Sequence, residues 1–215
     1  MNNYKTLVLQ TKQYVESFFK NNYDGHDYFH TLRVFNMATK IAEEENASLY
    51  IVQLAALLHD VDDEKLVGPN TNNALQYLNT TCLSSDDKEH ILYIIENQSF
   101  KKTFESKESL KSLEAQIVQD ADRLDSMGAI GITRTFAYGG SKKRALYDPD
   151  ILPVVYDDAL SYTTTNSPSI NHFYEKLLVL KNLMNTKTAK IMANHRHQIM
   201  EQFLEEFLVE WDGKK

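Results

Sequence analysis

The chain has one cysteine, four prolines, seven glycines and no long apolar run among its 215 residues. With Cys82 alone, no internal disulfide can form, and a reducing compartment is favoured. The longest nearly unbroken apolar run, Ile51 to Leu58, is far shorter than the ~20 residues of a membrane-spanning helix. Polar residues also come too early at the amino end for the core of a signal peptide. We therefore expect a soluble, cytoplasmic protein.

An excess of positive charge is also missing. Asp and Glu number 30 and Lys and Arg number 23, which gives a formal net charge of −7. Long, nonspecific contact with nucleic-acid phosphates relies on clustered cations, so this charge disfavours it. A small anion can still bind in a locally positive pocket. We expect a small-molecule phosphate compound as the partner, no membrane, and a monomer or homodimer.

Apolar residues recur at intervals of three and four, which is the period of an α-helix. Leu32, Phe35, Ala38 and Ile41 are one clear example, and no convincing hairpin pattern is present. We predict an all-α fold of roughly eight or nine helices in a single domain, 1–215. After helices near the amino end and around residues 32–42 and 54–61, further helices are expected at 73–78, 85–97, 113–127, 130–138, 169–184 and 186–211.

Residues 139–168 interrupt the helical pattern. This stretch contains two adjacent glycines and three of the four prolines, which oppose long helices. It also carries Lys142, Lys143 and Arg144, a concentrated positive charge on an acidic chain. Two interpretations remain open: a solvated mobile loop, or a lid that contacts substrate phosphates.

The pair His59-Asp60 ends LAALLHDV, which lies in the most apolar helical stretch of the chain. A buried imidazole beside a buried carboxylate is costly unless a partner compensates both groups, and a metal ion can be that partner. A core histidine satisfied by neighbouring carboxylates is the alternative. The dipeptide alone is weak support, because His26-Asp27 is a second copy.

Two further segments offer metal ligands. In HDYFHTLRV, His30 lies deeper in the predicted helix than His26, so we favour His30 as the ligand and His26 as a contact to substrate or to a ligand. In VQDADRLD, we favour Asp122 over Asp120 and Asp125. An ordinary acidic helix surface is the alternative for this second segment.

Two imidazole nitrogens and two carboxylate oxygens leave positions for water and substrate on an octahedral ion. This ligand mixture suits Mn²⁺, Fe²⁺, Co²⁺ or Ni²⁺, with Mg²⁺ also possible, better than a closed tetrahedral zinc site. An open coordination position predicts a hydrolytic enzyme.

The order His30, His59-Asp60 and Asp122, in the settings HxxRV, LLHD and DADRLD, resembles the HD-domain metal-dependent phosphohydrolase superfamily. The similarity to its YpgQ/YedJ type covers nearly the whole chain. It runs through GHDYFHTLRV, LLHDVDDEK, DADRLDSMGAIGITRTFAYGG, NHFYEKLLVLKNLMNT and AxxRHxxMxxFLxEF. The resemblance implies an HD-domain helical bundle, with a divalent metal held by His30, His59, Asp60 and Asp122. It further implies a nucleoside or deoxynucleoside triphosphate pyrophosphohydrolase that releases pyrophosphate, commonly with manganese.

Asp63 and Glu64 are the predicted general acid or base. They follow Asp60 by three and four residues, which is one turn if the helix continues. In related HD hydrolases an acidic residue at this offset has that role, which favours Asp63. A solvated acidic helix end, shared with Asp62, is the alternative.

A triphosphate also needs cations around its oxygens. The predicted substrate-binding residues are His26, Arg33, Lys65, Arg134, Tyr138, Lys142 and Arg196, with Tyr138 as a possible stacking partner for a base. The arginines and lysines could instead form surface salt bridges, and Tyr138 could pack in the core. Two other functions remain open. One is a phosphomonoesterase or phosphodiesterase acting on another small phosphate compound, and the other is a non-catalytic module that binds metal or nucleotide.

Overall fold

The computed structural model describes residues 3–20, 27–100, 102, 110–156 and 167–214. Within these ranges it has nine α-helices, one π-helical turn, one 3₁₀ helix and no strand, which confirms the all-α prediction. None of the helices described is both long and apolar enough to cross a membrane. The chain divides into two compact units, residues 1–121 and 122–215, with the boundary inside one helix.

The first unit contains helices α1 to α6 and most of α7. Their bounds are α1 Asn3–Phe18, α2 Tyr28–Glu45, α3 Leu49–Leu58, α4 Glu64–Val67, α5 Asn73–Asn79, α6 Ser85–Asn97 and α7 Leu113–Asp125.

Helix α3 is the centre of this unit. It packs against α1, α2 and α6, and seven of its ten residues are buried. A helix that is apolar on every side requires neighbours on every side. Burial of each large aliphatic side chain here contributes about 1.5–3 kcal/mol to the stability of the fold. This packing fixes the carboxyl end of α3, where His59 follows.

Helix α2 begins with a side-chain cap. The Asp27 carboxylate accepts a hydrogen bond from the backbone N–H of His30 at 2.7 Å. At the other end, Asn46 adopts a left-handed conformation (φ 57°) that closes the helix. An aspartate cap contributes about 1 kcal/mol. It places His30 in the first turn of α2.

The second unit contains the end of α7, then α8 Gly128–Ser141, a π-helical turn Phe173–Leu177, a 3₁₀ helix Val179–Leu183 and α9 Lys187–Trp211. Helix α9 packs against α8 and the 3₁₀ helix. The prediction of one helix over 169–184 is wrong. The Leu178 N–H bonds to the Phe173 carbonyl at 2.9 Å, five residues back, and this shift breaks the α-helical register.

Helix α8 continues past the point where the sequence predicted a loop to begin. It runs through Gly139 and Gly140 to Ser141. Gly139 serves close packing here, because a Cβ atom at this position would lie 2.2 Å from the Ser169 Oγ. The irregular stretch therefore begins at residue 142.

The described part of that irregular stretch is tied down by hydrogen bonds. The Ser169 N–H donates to the Ala145 carbonyl at 2.9 Å, and the Asn171 Nδ2 donates to the Ile151 carbonyl at 2.8 Å. The Val154 N–H donates to a Glu175 carboxylate oxygen at 3.2 Å. Residues 157–166 lie outside the described ranges. Closure of this stretch over a substrate stays a prediction.

Candidate metal centre

Three side chains from α2 and the end of α3 converge in the first unit. The Nε2 atoms of His30 and His59 are 3.2 Å apart. The Asp60 Oδ2 lies 3.4 Å from the first nitrogen and 3.2 Å from the second. All three residues are buried, with exposures of 1%, 3% and 6%. Ligands at right angles on an ion with bonds of about 2.1 Å are about 3.0 Å apart, so the donor spacing fits a shared cation.

The hydrogen bonding of His59 points to the same conclusion. Its Nδ1 lies 2.9 Å from the Ala56 carbonyl, which can only accept, so Nδ1 carries the proton. In this tautomer the Nε2 of an uncharged His59 carries a lone pair, and it faces the His30 Nε2 and the Asp60 Oδ2. A proton or a cation shared among these three atoms stabilises such a buried cluster. A fixed tautomer of this kind is typical of metal-binding histidines.

Asp122 brings a second carboxylate to this place. One ligand atom each from His30, His59 and Asp122 lie within 4.8 Å of one another. Asp122 is half-buried and directly follows Ala121, the last residue of the first unit, on the continuous helix α7. Two imidazoles and two carboxylates form the mixture that binds a divalent transition metal with room for further ligands.

The turn after α3 differs from the expected continuous helix. Helix α3 ends at Leu58, and residues 59–62 form a turn. The Asp62 carboxylate accepts hydrogen bonds from the backbone N–H groups of Asn73 (2.6 Å) and Ala74 (3.0 Å), so it caps the start of α5. The Asn73 side chain in turn donates to the Val61 carbonyl at 2.8 Å. These bonds hold the turn that carries His59 and Asp60.

The two predicted proton-transfer residues lie in different surroundings. Asp63 is half-buried, and its N–H donates to the Asp60 carbonyl at 3.1 Å. Glu64 is exposed and begins the short helix α4. Asp62 is not a candidate for proton transfer, because its carboxylate already caps α5. Burial and proximity to Asp60 favour Asp63.

Several supporting residues were missed from the sequence. Gln98 donates its side-chain N–H to the His59 carbonyl at 3.1 Å, and Gln119 donates to the Gln98 carbonyl at 3.3 Å. No local pattern marks these two glutamines. The cap provided by Asp27 could have been found, because an aspartate before an apolar helical run is a recognisable start signal.

The predicted substrate contacts of the first unit are only partly described. Arg33 lies one turn beyond His30 on α2 and is half-buried. Lys65 lies on α4, and its side chain is outside the description. His26 also falls outside the described residues.

In the second unit, two of the predicted arginines already have partners. The Arg134 Nη1 forms an ion pair at 2.9 Å with the Asp125 carboxylate, which is only 1% exposed. Arg196 on α9 donates to the Leu124 carbonyl. Burial lowers the pKa of Arg196, whereas the charge of Asp125 raises it, and the guanidinium stays a cation. Both arginines therefore help to hold the end of α7.

Tyr138 lies beside the basic cluster that begins the irregular stretch. The Lys142 Nζ is 5.6 Å and the Arg144 Cζ 5.5 Å from the centre of the Tyr138 ring. These are cation–π distances. Tyr138 is half-buried and Lys142 is exposed. Contact of either residue with a substrate stays a prediction.

Comparison with known proteins gives consistent results. Residues 27–127 match the HD domain family model. YpgQ of Bacillus subtilis (strain 168) is 36% identical over 198 residues, which are 91% of this chain and 89% of YpgQ. Its crystal structure in complex with ADP has a TM-score of 0.73 and 34% identity, and the match covers 93% of this chain and 95% of that one.

Two other solved structures match nearly the full length. One, from Lactobacillus plantarum, has a TM-score of 0.88 and 38% identity, and the match covers 99% of each chain. The other is an HD-superfamily hydrolase from Bacillus thuringiensis, with a TM-score of 0.77, 40% identity, and coverage of 98% of this chain and 99% of that one.

Proposed function

We propose that this chain, which belongs to the HD-domain family of metal-dependent phosphohydrolases, hydrolyses nucleoside or deoxynucleoside triphosphates and releases pyrophosphate. The convergence of two buried imidazole nitrogens and the Asp60 carboxylate, with Asp122 nearby, carries this proposal. The structure of the relative YpgQ with ADP supports a nucleotide as the ligand.

The proposed metal ligands are His30, His59, Asp60 and Asp122, and the proposed metal is manganese. When bound, such an ion polarises a phosphoryl oxygen and makes bound water more acidic. The chain holds its ligands ready for this. The Ala56 carbonyl fixes the tautomer of His59, and the Asp27 cap fixes the start of the helix that bears His30.

Asp63 is the proposed proton acceptor for the attacking water. As that proton moves to the carboxylate, the water oxygen bonds to the α-phosphorus. The bond from the α-phosphorus to the oxygen that bridges it to the β-phosphorus breaks. The electron pair of the broken bond leaves with pyrophosphate, and the products are a nucleoside monophosphate and pyrophosphate. Glu64 is the second candidate for the proton transfer, although its exposure makes it less well placed.

Arg33 is the proposed phosphate contact of the first unit. It lies on α2 one turn beyond His30, and guanidinium N–H groups bind phosphate oxygens in pairs. Arg134 and Arg196 remain candidates that would have to serve a phosphate while holding the end of α7. Tyr138 and Lys142 are proposed contacts to the base and the phosphates, and His26 and Lys65 complete the proposed set.

Product identification tests the reaction. The purified, manganese-loaded protein is incubated with a nucleoside triphosphate in ¹⁸O-labelled water, and the products are separated by ion-exchange chromatography. We expect nucleoside monophosphate and pyrophosphate in equal amounts, with the label in the nucleoside monophosphate, because pyrophosphate leaves with the bridging oxygen. Orthophosphate or nucleoside as the first product would contradict this proposal and favour a phosphomonoesterase. Nucleotide binding without turnover would favour the non-catalytic module.

A further inference from the structure

Gln98 makes a contact at the metal centre that the proposed reaction does not itself require. It directly follows α6 and is buried, with an exposure of 7%. Its Nε2 donates a hydrogen bond to the His59 carbonyl at 3.1 Å. The last carbonyls of a helix have no partner within that helix, and His59 immediately follows α3. Gln98 therefore satisfies a backbone group of a predicted metal ligand.

A second glutamine extends this connection to α7. The Gln119 Nε2 donates to the backbone carbonyl of Gln98 at 3.3 Å, and Gln119 is also buried. Asp122 lies three residues further along the same helix, so it shares a side of α7 with Gln119. Two buried hydrogen bonds thus run from the turn of His59 and Asp60 to the helix that bears Asp122.

Core packing alone does not account for a glutamine at position 98. Its Oε1 is buried and has no hydrogen-bond partner among the described residues. A buried polar atom left in this way costs about 1–3 kcal/mol. An apolar side chain of similar length would avoid that cost, so the benefit of glutamine must come from its N–H group.

We propose that Gln98 is a positioning residue of the metal centre. Through the His59 carbonyl it sets the turn of His59 and Asp60 relative to α7, and Gln119 fixes Gln98 in place. Gln98 acts through His59 and is not itself a ligand. The inference rests on the proposed function only in taking these two residues as metal ligands. Mutation of a residue that hydrogen-bonds to a metal ligand typically lowers metal affinity 10- to 100-fold.

Calorimetric titration of Mn²⁺ into metal-stripped protein tests this role without relying on activity. We expect Gln98→Met to bind Mn²⁺ about tenfold more weakly than the wild type. The unfolding temperature of the metal-free protein should change little, because the variant removes one unpaired atom, Oε1, and creates another at the His59 carbonyl. A purely structural role would instead lower that temperature and leave the metal affinity unchanged.

Gln116→Met is the matched control. Gln116 is on the same helix as Gln119, and its side chain also donates to a backbone carbonyl, that of Leu110 at 3.2 Å. This variant should bind Mn²⁺ as the wild type does. The absorption spectrum of bound Co²⁺ adds a readout of coordination geometry, and we expect it to change in Gln98→Met but not in Gln116→Met.

Gln119→Met provides a second route if Gln98→Met does not fold. It leaves Gln98 in place but removes the donor to its carbonyl, so a smaller loss of affinity is expected. If Gln98→Met and Gln119→Met both bind Mn²⁺ as tightly as the wild type, the positioning role is overturned. If the wild type itself binds no Mn²⁺, the metal centre is overturned and this inference falls with it. The two failures are therefore distinguishable.

Discussion

Asp60 and Asp63 are three residues apart but have different surroundings. Asp60 meets the nitrogens of both histidines, whereas Asp63 lies beyond the turn and is half-buried. We expect Asp60→Ala to abolish both metal retention and hydrolysis, because a ligand is lost. Asp63→Asn should retain the metal and lower kcat about 10²- to 10⁴-fold, which is the usual contribution of a proton-transfer group. Manganese titration and steady-state kinetics measure the two effects.

Glu44→Ala is a suitable control for these variants, because Glu44 is an exposed carboxylate near the end of α2. It should retain both metal and activity. Unchanged hydrolysis in Asp60→Ala would refute the metal centre described above. Full turnover in Asp63→Asn would leave Glu64 as the candidate for proton transfer.

The residue types of the candidate metal centre could be predicted from the sequence, but the residues that hydrogen-bond to them could not. An imidazole and a carboxylate at the end of an apolar helix signal a buried polar pair in need of a partner, and His59-Asp60 shows that signal. Gln98 acts from 39 residues away, on a backbone carbonyl. Such a contact depends on tertiary packing, which leaves no pattern in the local sequence.

The start of helix α8 depends on a glycine with no space for a side chain. A Cβ atom at Gly131 would lie 2.3 Å from the backbone carbonyl oxygen of Ser126, which cannot move independently. We expect Gly131→Ala to lower the free energy of unfolding by at least about 2 kcal/mol, in the range typical of overpacking. Chemical denaturation measures this loss.

Gly140→Ala is the matched control in the same helix. No atom lies within 4 Å of the position that its Cβ would take. Because alanine favours a helix more than glycine does, this variant should raise the free energy of unfolding by about 0.5–1 kcal/mol. Equal effects of the two substitutions would contradict the close approach of Gly131 to the Ser126 carbonyl.

The helices themselves were predicted better than their ends. The helical period placed α6 correctly at residues 85–97, because that signal is local. The adjacent glycines Gly139 and Gly140 suggested a loop, whereas α8 includes both. At Gly139 a tertiary contact with Ser169 demands a small residue, and sequence alone does not separate this demand from helix breaking.

Metal binding should stabilise the first unit as a whole. A ligand that binds only the folded state adds about 2.7 kcal/mol at a free concentration one hundred times its Kd. For a chain of this length, each kcal/mol raises Tm by about 2–4 °C. We therefore expect saturating Mn²⁺ to raise Tm by roughly 5–11 °C in calorimetry. Asp60→Ala should show no increase, and a wild-type Tm that ignores Mn²⁺ would speak against the site.

The sequence predicted the metal ligands on firmer grounds than the substrate contacts. The HD domain match ends at residue 127 and includes all four proposed metal ligands. Arg134, Tyr138, Lys142 and Arg196 lie beyond it, and their assignment to a substrate depended on charge and ring type alone. Ligand chemistry limits a metal site to few residue types, whereas many cations can bind a phosphate.

The turn of residues 59–62 is held on both sides before any cation arrives. His59 bonds back to Ala56, Asp62 caps α5, and Asn73 holds the Val61 carbonyl. Ordering a free segment on binding costs about 1–2 kcal/mol for each residue that becomes fixed. A turn that is already ordered avoids most of this loss. We therefore expect the metal to bind a preorganised site, with little rearrangement of the backbone and little loss of chain entropy.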